Sequence, residues 1–288
     1  MRRIAIVAGF VAALCISVCL AAAITASPPY LLLYAFDEEG IAIAAQMTIA
    51  QTDTVLGRIV RTGIASGKPV VLAESGVGMT NAAMTAQRLI DQYHPAAVIF
   101  TGIAGAIDSS VHIGDIVVAA SWVQHDFGYI GAEGFKFNGI RTFDPKKDSV
   151  ARLTEFPVDT LLLSVARKCS RDSLPLDSVG ARRPALTVGG VGASGNTFID
   201  SKEKRDWLSQ VLNAKIVDME SAAVVQICIA NGVPVVVMRS ASDLAGGSGS
   251  STARAELDRF FTIAAGNSAV VVLDILKRLP DSVSAKSP

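Results

Sequence analysis

Residues 215–244, KIVDMESAAVVQICIANGVPVVVMRSASDL, decide the fold that the sequence predicts. Residues 215–217 read as the end of a strand, and the small apolar run Ser221–Ala230 reads as a helix that stops at Asn231-Gly232. After Pro234, residues 235–238 are β-branched and apolar, which predicts a buried strand. A strand, a helix and a second strand in this order are typical of an open α/β sheet.

Two acidic residues follow these strands, at the edge where open α/β sheets bind ligands. Glu220 precedes the helix, and Asp243 ends the segment RSASD. Taken singly, each acid is most simply explained as a helix-start or turn residue. Their neighbours favour a functional interpretation, because Asp218 and Arg239 also put charges beside apolar runs, and buried charges need partners.

The segments VDMESAA at 217–223 and RSASD at 239–243 resemble the signature of the nucleoside phosphorylase/nucleosidase superfamily. The pattern is most similar to that of the methylthioadenosine/S-adenosylhomocysteine nucleosidases. The resemblance implies an α/β fold, a single three-layer α/β/α domain around a twisted mixed β-sheet. Further segments extend it over nearly all of the chain after residue 30.

Residues 1–26 read as a secretory signal peptide, and residues 27–288 as the catalytic domain. Arg2-Arg3 precede the apolar run 4–24, and small residues follow it. An uncleaved anchor is the alternative, since the run is near spanning length. However, the strand-like residues 30–34 begin so soon that almost no tether would remain. We therefore expect a secreted or periplasmic protein, cleaved near Ala23 or Ala26, with no membrane contact afterwards.

The composition predicts one large α/β core, because half of the 288 residues are hydrophobic. Without Arg2 and Arg3, 24 basic residues stand against 26 acidic ones, and the basic residues are scattered, so we expect no nucleic-acid partner. The spacing of the His and Cys residues matches no metal site, and no metal or cofactor is implied. We expect a structural role for His125 and a buried free thiol at Cys228.

The first core strand is followed by AFDEEG at residues 35–40. The resemblance implies that Glu39 is the base that activates water and that Phe36 lies in the wall of the substrate pocket. An acidic turn or helix start is the simpler explanation of the same residues. Tyr34 stands where the family usually has glycine, and we expect it to narrow the approach beneath the ribose.

Two glycine-containing loops follow later strands. ESGVGMTN at 74–81 resembles the family loop that builds the site floor and dimer contacts, with Met79 in place of the family's Lys; a homodimer is therefore expected. TGIAGA at 101–106 resembles the family's base-binding loop, which assigns Ile103, Ala104 and Gly105 to the substrate site. Ile103 replaces a Ser that supports the acid at the purine.

The remaining site residues also come from the resemblance. Residues 193–199, ASGNTFI, imply that Phe198 stacks on the purine and that the backbone of Ile199 reads its edge, although a plain strand-to-helix junction would also explain them. Met219 packs under the ribose, and Glu220 grips its hydroxyls. At the last strand, Asp243 is the proton donor to purine N7, with Ser242 beside it in the substrate site.

The rest of the chain has recognisable periodicity. It predicts strands at 70–73, 97–100, 113–118 and 188–191, and helices at 82–93, 150–169, Lys202–Leu212 and Ala253–Arg278. The glycine- and serine-rich residues 245–251 are a candidate lid.

Together these features predict an N-glycosyl hydrolase of purine nucleosides. The expected substrate is an adenosine-type nucleoside such as 5′-methylthioadenosine or S-adenosylhomocysteine, and the product is adenine. One alternative is a phosphate-dependent purine nucleoside phosphorylase. It is disfavoured because residues 35–40, 75–81 and 101–106 contain no Arg or Lys, although Arg58, Arg61 and Arg88 lie elsewhere in the chain. The other is a non-catalytic storage or binding relative, disfavoured because all three acids are present.

Overall fold

The computed structural model describes residues 27–144, 147–169, 173–249 and 251–280. The predicted signal peptide lies outside these residues. The strands are β1 (Tyr30–Tyr34), β2 (Met47–Val55), β3 (Arg58–Ala65), β4 (Lys68–Glu74), β5 (Ala97–Phe100), β6 (Ile103–Ala106), β7 (Ile116–Val118), β8 (Ser121–Gln124), β9 (Gly128–Gly131), β10 (Gly134–Phe137), β11 (Ile140–Asp144), β12 (Ser149–Leu153), β13 (Phe156–Pro157), β14 (Leu186–Val188), β15 (Val191–Ser194), β16 (Ala214–Asp218) and β17 (Val235–Asp243). The helices are α1 (Asp37–Ala44), α2 (Met79–Tyr93), α3 (Thr160–Ala166), α4 (Lys202–Leu212), α5 (Ser221–Ala230) and α6 (Ala253–Arg278).

One mixed sheet organises the chain. Its strand order is β13-β8-β15-β16-β6-β17-β5-β1-β4-β3-β2, with β7 and β14 attached to β17 on a branch. Helices cover both faces: α2 packs against α5, while α6 packs against α1 and β17. The fold is therefore the single three-layer α/β/α domain that the sequence predicts.

The direction of the strands gathers the polar loops at one place. Strands β4, β1, β5 and the first part of β17 run parallel, so the residues that follow β1, β4 and β5 share one edge. Beyond β5, strand β6 pairs with the second half of β17 in parallel and with β16 in antiparallel orientation. The C-terminal end of β16, at Asp218, therefore lies beside the start of β6, close to the residues that follow β5.

Most of the predicted elements are confirmed. Residues 30–34, 97–100, 202–212, 221–230 and 253–278 form the strands and helices expected, with the same bounds. Their apolar residues are almost all buried where the pattern predicts burial, as in β1 and β5, whose residues are buried throughout. These segments have a strong period or a clear stop signal, which is why their ends were predictable.

The helix predicted at 150–169 is wrong. This segment forms β12, which pairs in antiparallel orientation with β11, then the short β13, and only from Thr160 a helix. Pro157 has no amide hydrogen for a helix interior, and the Asp159 side chain instead caps α3 by accepting from Leu162 N (2.9 Å).

The strand predicted at 188–191 is divided into two. Gly189 and Gly190 have φ angles of 126° and 79° and separate β14 from β15. These conformations favour glycine and let the chain change partners, because β14 pairs with β7 whereas β15 pairs with β8 and β16.

Four further bounds differ from those expected. The strand predicted at 70–73 spans Lys68–Glu74, the strand predicted from 113 begins at Ile116, and the helix predicted from 82 begins at Met79. The strand predicted at 235–238 continues to Asp243, since β17 pairs in turn with β5, β7 and β6. Arg239 therefore lies inside a fully buried strand and not in a loop after it.

Candidate active site

A fully buried arginine lies at the centre of the polar region. Arg239 has none of its surface exposed, and its Nε is 2.7 Å from Asp218 Oδ2. Its Nη1 donates to the Thr101 carbonyl (2.9 Å), and the guanidinium lies 4.1 Å from the centre of the Phe100 ring. This one side chain therefore ties together the ends of β5 and β16 and the middle of β17.

Asp218 holds the start of α5. Its Oδ1 accepts from the backbone amides of Glu220 (3.3 Å) and Ser221 (3.2 Å) and from Ser194 Oγ (2.5 Å). A carboxylate here satisfies amides that have no partner within the helix, and it interacts favourably with the helix dipole. These bonds fix the backbone around Met219 and Glu220, the residues predicted to contact the ribose.

Glu39 lies in the first turn of α1 and is only 2% exposed. Its Oε2 accepts from the amides of Ala35 (2.7 Å) and Phe36 (3.2 Å), and its Oε1 accepts from Ile103 N (2.8 Å). Burial raises the pKa of Glu39 above its usual value, although Arg239 and the three amides favour the charged form. A carboxylate with a raised pKa is a stronger base, which suits a group that takes a proton from water.

Asp243 is the last residue of β17 and is also buried. Its Oδ1 accepts from Ala245 N, and its Oδ2 accepts from Ser242 Oγ, both at 2.8 Å. Burial raises the pKa of Asp243 to about 6, against the effect of these two hydrogen bonds. The carboxyl therefore keeps a proton at a higher pH than an exposed Asp would, as a general acid must.

Glu220 lies between Arg239 and the start of α2. Its Oε1 accepts from Gly78 N (2.8 Å), and its Oε2 is 3.7 Å from Arg239 Nη2. Burial, with the neighbouring Asp218 carboxylate, raises the pKa of Glu220 to about 7, and Arg239 opposes this shift. Arg239 Nη2 is buried and makes no hydrogen bond to any described residue. Glu220 is the acceptor that this region offers to a polyhydroxy ligand.

Strand β6 links the two acids assigned to catalysis. Ile103 N donates to Glu39, and two residues later Gly105 pairs with Asp243 in the β6–β17 ladder. Two strand residues span roughly 7 Å. A Cβ on Gly105 would lie 2.9 Å from Asp243 Oδ1, and a Cβ on Gly102 would lie 2.4 Å from Glu39 Oε1. Both positions need glycine, because the carboxylates occupy the space of a side chain.

A cleft of about 230 Å³ opens beside Asp243. It is lined by Gly105, Thr197, Phe198, Ile199, Val217, Asp218, Met219 and Asp243. Phe198 keeps 42% of its surface exposed, so its ring is available for stacking, whereas Ile199 is buried. The structure thus brings Gly105, Phe198, Ile199, Met219 and Asp243, all predicted from sequence, to one cleft.

The other predicted residues lie around this cleft. Phe36 and Ile103 belong to a small apolar cluster near Glu39 that also includes Phe261 of α6, and the two phenyl rings meet edge to face with centres 5.9 Å apart. Ser242 Oγ lies 3.3 Å from the Ala104 carbonyl, and both residues are buried. Ala104 and Ser242 are therefore neighbours of Asp243 that do not line the cleft.

The structure bears on two expectations about single residues. The ring of Tyr34 packs against α1, where a Cβ on Gly40 would lie 2.4 Å from it, and its hydroxyl pairs with Arg61, so it is directed away from the cleft beside Asp243. The structural role expected for His125 stays a prediction; neither of its ring nitrogens has a hydrogen-bond partner among the described residues. Its ring packs against Gly195, and burial lowers the pKa of His125.

Arg58 reaches the first glycine loop from β3. A Cβ on Gly76 would lie 2.1 Å from Arg58 Nη2, so the guanidinium covers this glycine. Its charge acts on Glu74, which is also hydrogen-bonded to Asp37. Arg58, which comes from outside the two glycine loops, thus lies near the ligand-binding edge of the sheet, but the Glu74 carboxylate is beside it.

Sequence reasoning noticed the charges of Arg239 and Asp218 but did not assign them to the site, which they hold together. The signal was an Arg and an Asp that interrupt two apolar runs, and these runs form the buried strands β17 and β16. Cys169 and Cys228 are buried free thiols. Among the described residues, no group of three or more His, Cys, Asp or Glu side chains is arranged to hold a metal ion.

Comparison with known proteins points to one family. Residues 21–277 match the model of the phosphorylase superfamily. The 5′-methylthioadenosine/S-adenosylhomocysteine nucleosidase of Mycobacterium bovis is 34% identical over 215 residues, which cover 72% of this chain and 80% of that protein.

Solved structures agree with this result. The nucleosidase of the same name from Neisseria meningitidis, in complex with methylthio-immucillin-A, superposes with a TM-score of 0.73 at 27% identity, covering 88% of this chain and 100% of that one. The futalosine hydrolase of Helicobacter pylori gives a TM-score of 0.72 at 26% identity, covering 88% and 99%. On the strength of the buried acids at the sheet edge and of these matches, the chain belongs to the phosphorylase superfamily, close to the 5′-methylthioadenosine/S-adenosylhomocysteine nucleosidases.

Proposed function

We propose that the protein hydrolyses the N-glycosidic bond of adenosine-type nucleosides, such as 5′-methylthioadenosine or S-adenosylhomocysteine, and releases adenine. One observation carries the proposal: Asp243, a buried carboxyl whose pKa is raised to about 6, lines a cleft together with the ring of Phe198 and with Met219. Two further buried carboxyls with raised pKa values are connected to this region, Glu220 next to Met219 and Glu39 bonded to β6. A non-catalytic relative would gain nothing from keeping three acids buried, since burial of each carboxylate costs stability.

Departure of the base is assisted by Asp243. Cleavage leaves a negative charge on the purine unless a proton or a hydrogen bond meets it, and a protonated carboxyl near N7 supplies that proton. Ala245 N and Ser242 Oγ fix the carboxyl, so the proton donor is held in place before the substrate arrives. Phe198 stacks on the base, and the backbone of Ile199 binds its edge.

The ribose is held by Glu220 and Met219. The Glu220 carboxylate accepts from the sugar hydroxyls, and Arg239 Nη2 lies behind it at 3.7 Å. Negative charge here also stabilises the positive charge that develops on the ribose ring as the bond breaks. Arg239 keeps that carboxylate oriented, and its own position is fixed by Asp218.

Water is activated by Glu39 on the far side of the sugar. The contacts of Glu39 and Asp243 on β6 are two residues apart, roughly 7 Å along the strand. Glycosidases that use a free water nucleophile hold their two carboxyls about 6.5–9.5 Å apart, with room for the water between them. Two carboxyls held at neighbouring positions along β6 suit the same division of roles.

Phosphate has no favourable place at this edge. The amide at the start of α2, where a phosphate would be expected to bind, is already bonded to the Glu220 carboxylate. Asp37, Glu38 and Glu39 follow β1 and would repel a dianion. Arg58 is the observation that keeps a phosphorylase as the alternative, but its charge is offset by Glu74.

The assay that decides between the two reactions varies phosphate. We expect adenine and a reducing sugar to form from 5′-methylthioadenosine in phosphate-free buffer, with no acceleration when phosphate is added. A purified phosphorylase of known activity serves as the positive control. If turnover requires phosphate and the sugar product is a ribose 1-phosphate, the chain is a phosphorylase.

The pH dependence follows from opposite requirements of two acids. The active form has Asp243, with a pKa raised to about 6, protonated and Glu220, with a pKa raised to about 7, ionised. Below about pH 6, loss of the Glu220 charge lowers the fraction of molecules in this form, and above about pH 7, loss of the Asp243 proton lowers it. We therefore expect kcat/KM to rise up to about pH 6, to stay level to about pH 7 and to fall above it.

The variant Asp243→Asn cannot donate this proton, so turnover should fall by roughly 10²-fold or more, and the alkaline fall should disappear. A folded Asn variant with near-normal turnover, or with an unchanged alkaline limb, would remove Asp243 from the mechanism.

We also propose a homodimer. Large apolar side chains are exposed on α2, after β8 and along β9, where Met84, Phe127, Tyr129 and Ile130 have 46%, 44%, 64% and 78% of their surface exposed. Exposed apolar clusters of this kind are typical of interfaces. A second copy of the chain is the partner that the family resemblance implies.

Light scattering after gel filtration tests the dimer. We expect twice the mass of one chain for the wild-type protein and a shift toward monomer for Ile130→Lys, because a charge in an apolar interface is left without a partner. The matched control is Val211→Lys, which changes an equally apolar side chain, 56% exposed, on α4. A monomeric wild-type protein, or equal effects of both variants, would contradict the interface.

Finally, we propose export. Arg2-Arg3 and the apolar residues 4–24 precede the first buried strand, which starts at Tyr30. A mature chain that begins between residues 24 and 27 keeps this strand whole. N-terminal sequencing of the protein from fractionated native cells is expected to give such a start in the secreted or periplasmic fraction, and a cytoplasmic chain beginning at Met1 would disprove it.

A further inference from the structure

Glu256 is a buried acid that lies outside the cleft. It belongs to the first turn of α6 and has only 7% of its surface exposed. The nearby arginines of the same helix are engaged elsewhere, since Arg254 pairs with Asp258 (3.2 Å) and the Arg259 guanidinium lies 5.0 Å from the centre of the Phe260 ring. No ion pair joins Glu256 to a described residue. Burial of a carboxylate without a cation costs stability, so specific contacts have to offset it.

The carboxylate of Glu256 holds the residue that follows the proposed general acid. Its Oε2 accepts from Leu244 N (2.8 Å), and Leu244 follows Asp243 directly in the chain. Asp243 Oδ1 in turn accepts from Ala245 N, also at 2.8 Å. Residues 243–245 are therefore fixed by two carboxylates, one of which is the acid itself.

The turn after Asp243 needs such a hold. Ala245 has a φ angle of 49°, in the left-handed region, and it is fully buried. This conformation is unfavourable for a residue with a Cβ, and it persists where the surrounding contacts fix it. A Cβ on Gly105 would lie 3.2 Å from the Ala245 Cβ, so the turn packs directly on β6. A turn that relaxed would change the direction of the Asp243 carboxyl.

The helix that carries Glu256 is also tied to the segment that contacts the base. Asp200 Oδ1 accepts from Ala253 N (2.9 Å), the first residue of α6. Asp200 stands two residues after Phe198, whose ring lines the cleft. Glu256 therefore has a fixed place relative to both the acid and the residues at the base.

Charged groups face Asp243 from several elements. Burial is the main cause of its raised pKa of about 6, and the carboxylates of Glu256 on α6 and of Asp200 act in the same direction. Arg205 of α4 packs against the loop after Asp243 and donates to a backbone carbonyl of β6 (3.1 Å). Asp218 of β16 lines the same cleft but is paired with the buried arginine of β17.

We propose that Glu256 is a positioning residue for Asp243: its carboxylate locks the left-handed turn after the acid, and its negative charge keeps the proton on Asp243 until the purine takes it. The proposal rests on the proposed role of Asp243 as the general acid, and it adds a residue that acts on this acid without touching the substrate. The N-terminal end of the α6 dipole favours the charged form of Glu256. The two actions are separable, because a neutral side chain of the same shape keeps the bond to Leu244 and loses the charge.

The variant Glu256→Gln tests the charge. Glutamine keeps an oxygen that accepts from Leu244 N but is neutral, so Asp243 should lose its proton at a lower pH. We expect kcat/KM to be unchanged at about pH 5, where Asp243 is protonated in both proteins, and to fall by roughly threefold or more at about pH 8. Asp258→Asn is the matched control, since it removes a charge from the same helix at a side chain that is 64% exposed. Equal losses at the two pH values, or no loss at either, would overturn the proposal.

The variant Glu256→Ala tests the hold on the turn. It removes the bond to Leu244 as well as the charge, so kcat should fall by roughly tenfold already at about pH 5, on the scale of one hydrogen bond to a charged group. KM should change little, because Glu256 does not touch the substrate. Adding Ala245→Gly should restore most of kcat at about pH 5, since glycine adopts the left-handed conformation without strain, but not at about pH 8, where the charge is still missing. If Glu256→Ala costs nothing at about pH 5, or if the second change restores nothing there, Glu256 does not lock the turn and the proposal is wrong.

Titration of the acid separates this proposal from the proposed function. Carbon-13 NMR of protein labelled at its aspartate carboxyl carbons follows the ionisation of Asp243 without any substrate, and the Asp243→Asn variant identifies its signal. We expect the midpoint to lie at a lower pH in Glu256→Gln than in the wild-type protein and in Asp258→Asn. An unchanged midpoint overturns the proposal even if nucleosides are cleaved. If no nucleoside is cleaved, the hydrolase assignment fails, and a lowered midpoint still supports the action of Glu256 on Asp243.

Discussion

The buried guanidinium of Arg239 is the interaction on which the rest of the site depends. An unpaired charge cannot be kept in a protein interior, so the chain must surround this group with acceptors. It does so with the Asp218 carboxylate, the Thr101 carbonyl and the face of Phe100. Arginine suits this place because its planar fork reaches several acceptors at once, which a lysine ammonium cannot do at the same spacing.

The same interaction acts on the protonation of the site. Burial is the main cause of the raised pKa values of Glu39 and Glu220, and the charge of Arg239 opposes both shifts. For Glu220, the neighbouring carboxylates of Asp218 and Glu39 add to the effect of burial. Asp243 lies outside the pairing with Arg239, and burial alone accounts for most of its shift. The site can therefore hold carboxylates that are paired with Arg239 and a carboxyl, Asp243, that is not, in one buried region.

The sequence predicted the fold class and most of the strongly periodic elements, because their apolar patterns are local. The helix expected at 150–169 failed, since its apolar spacing does not distinguish a helix from two short strands when a partner strand such as β11 is supplied by tertiary structure. The candidate site residues came from a resemblance, and the cleft brings five of them together. What could not be predicted is the pairing of Arg239 with Asp218 and the direction of Tyr34, because both depend on which strands become neighbours.

The three side chains that depart from the family pattern, Tyr34, Ile103 and Met79, all lie outside the set of buried charges. Tyr34 packs under α1, Ile103 joins the apolar cluster of Phe36, and Met79 opens α2, with its amide donating to Asn196 Oδ1. None of them contacts Arg239 or replaces one of the acids, so the chemistry that depends on buried charge is kept. The changes instead alter the walls around it. They put more apolar surface beside Glu39, which favours its neutral form, and a thioether in place of the family's cation at the start of α2.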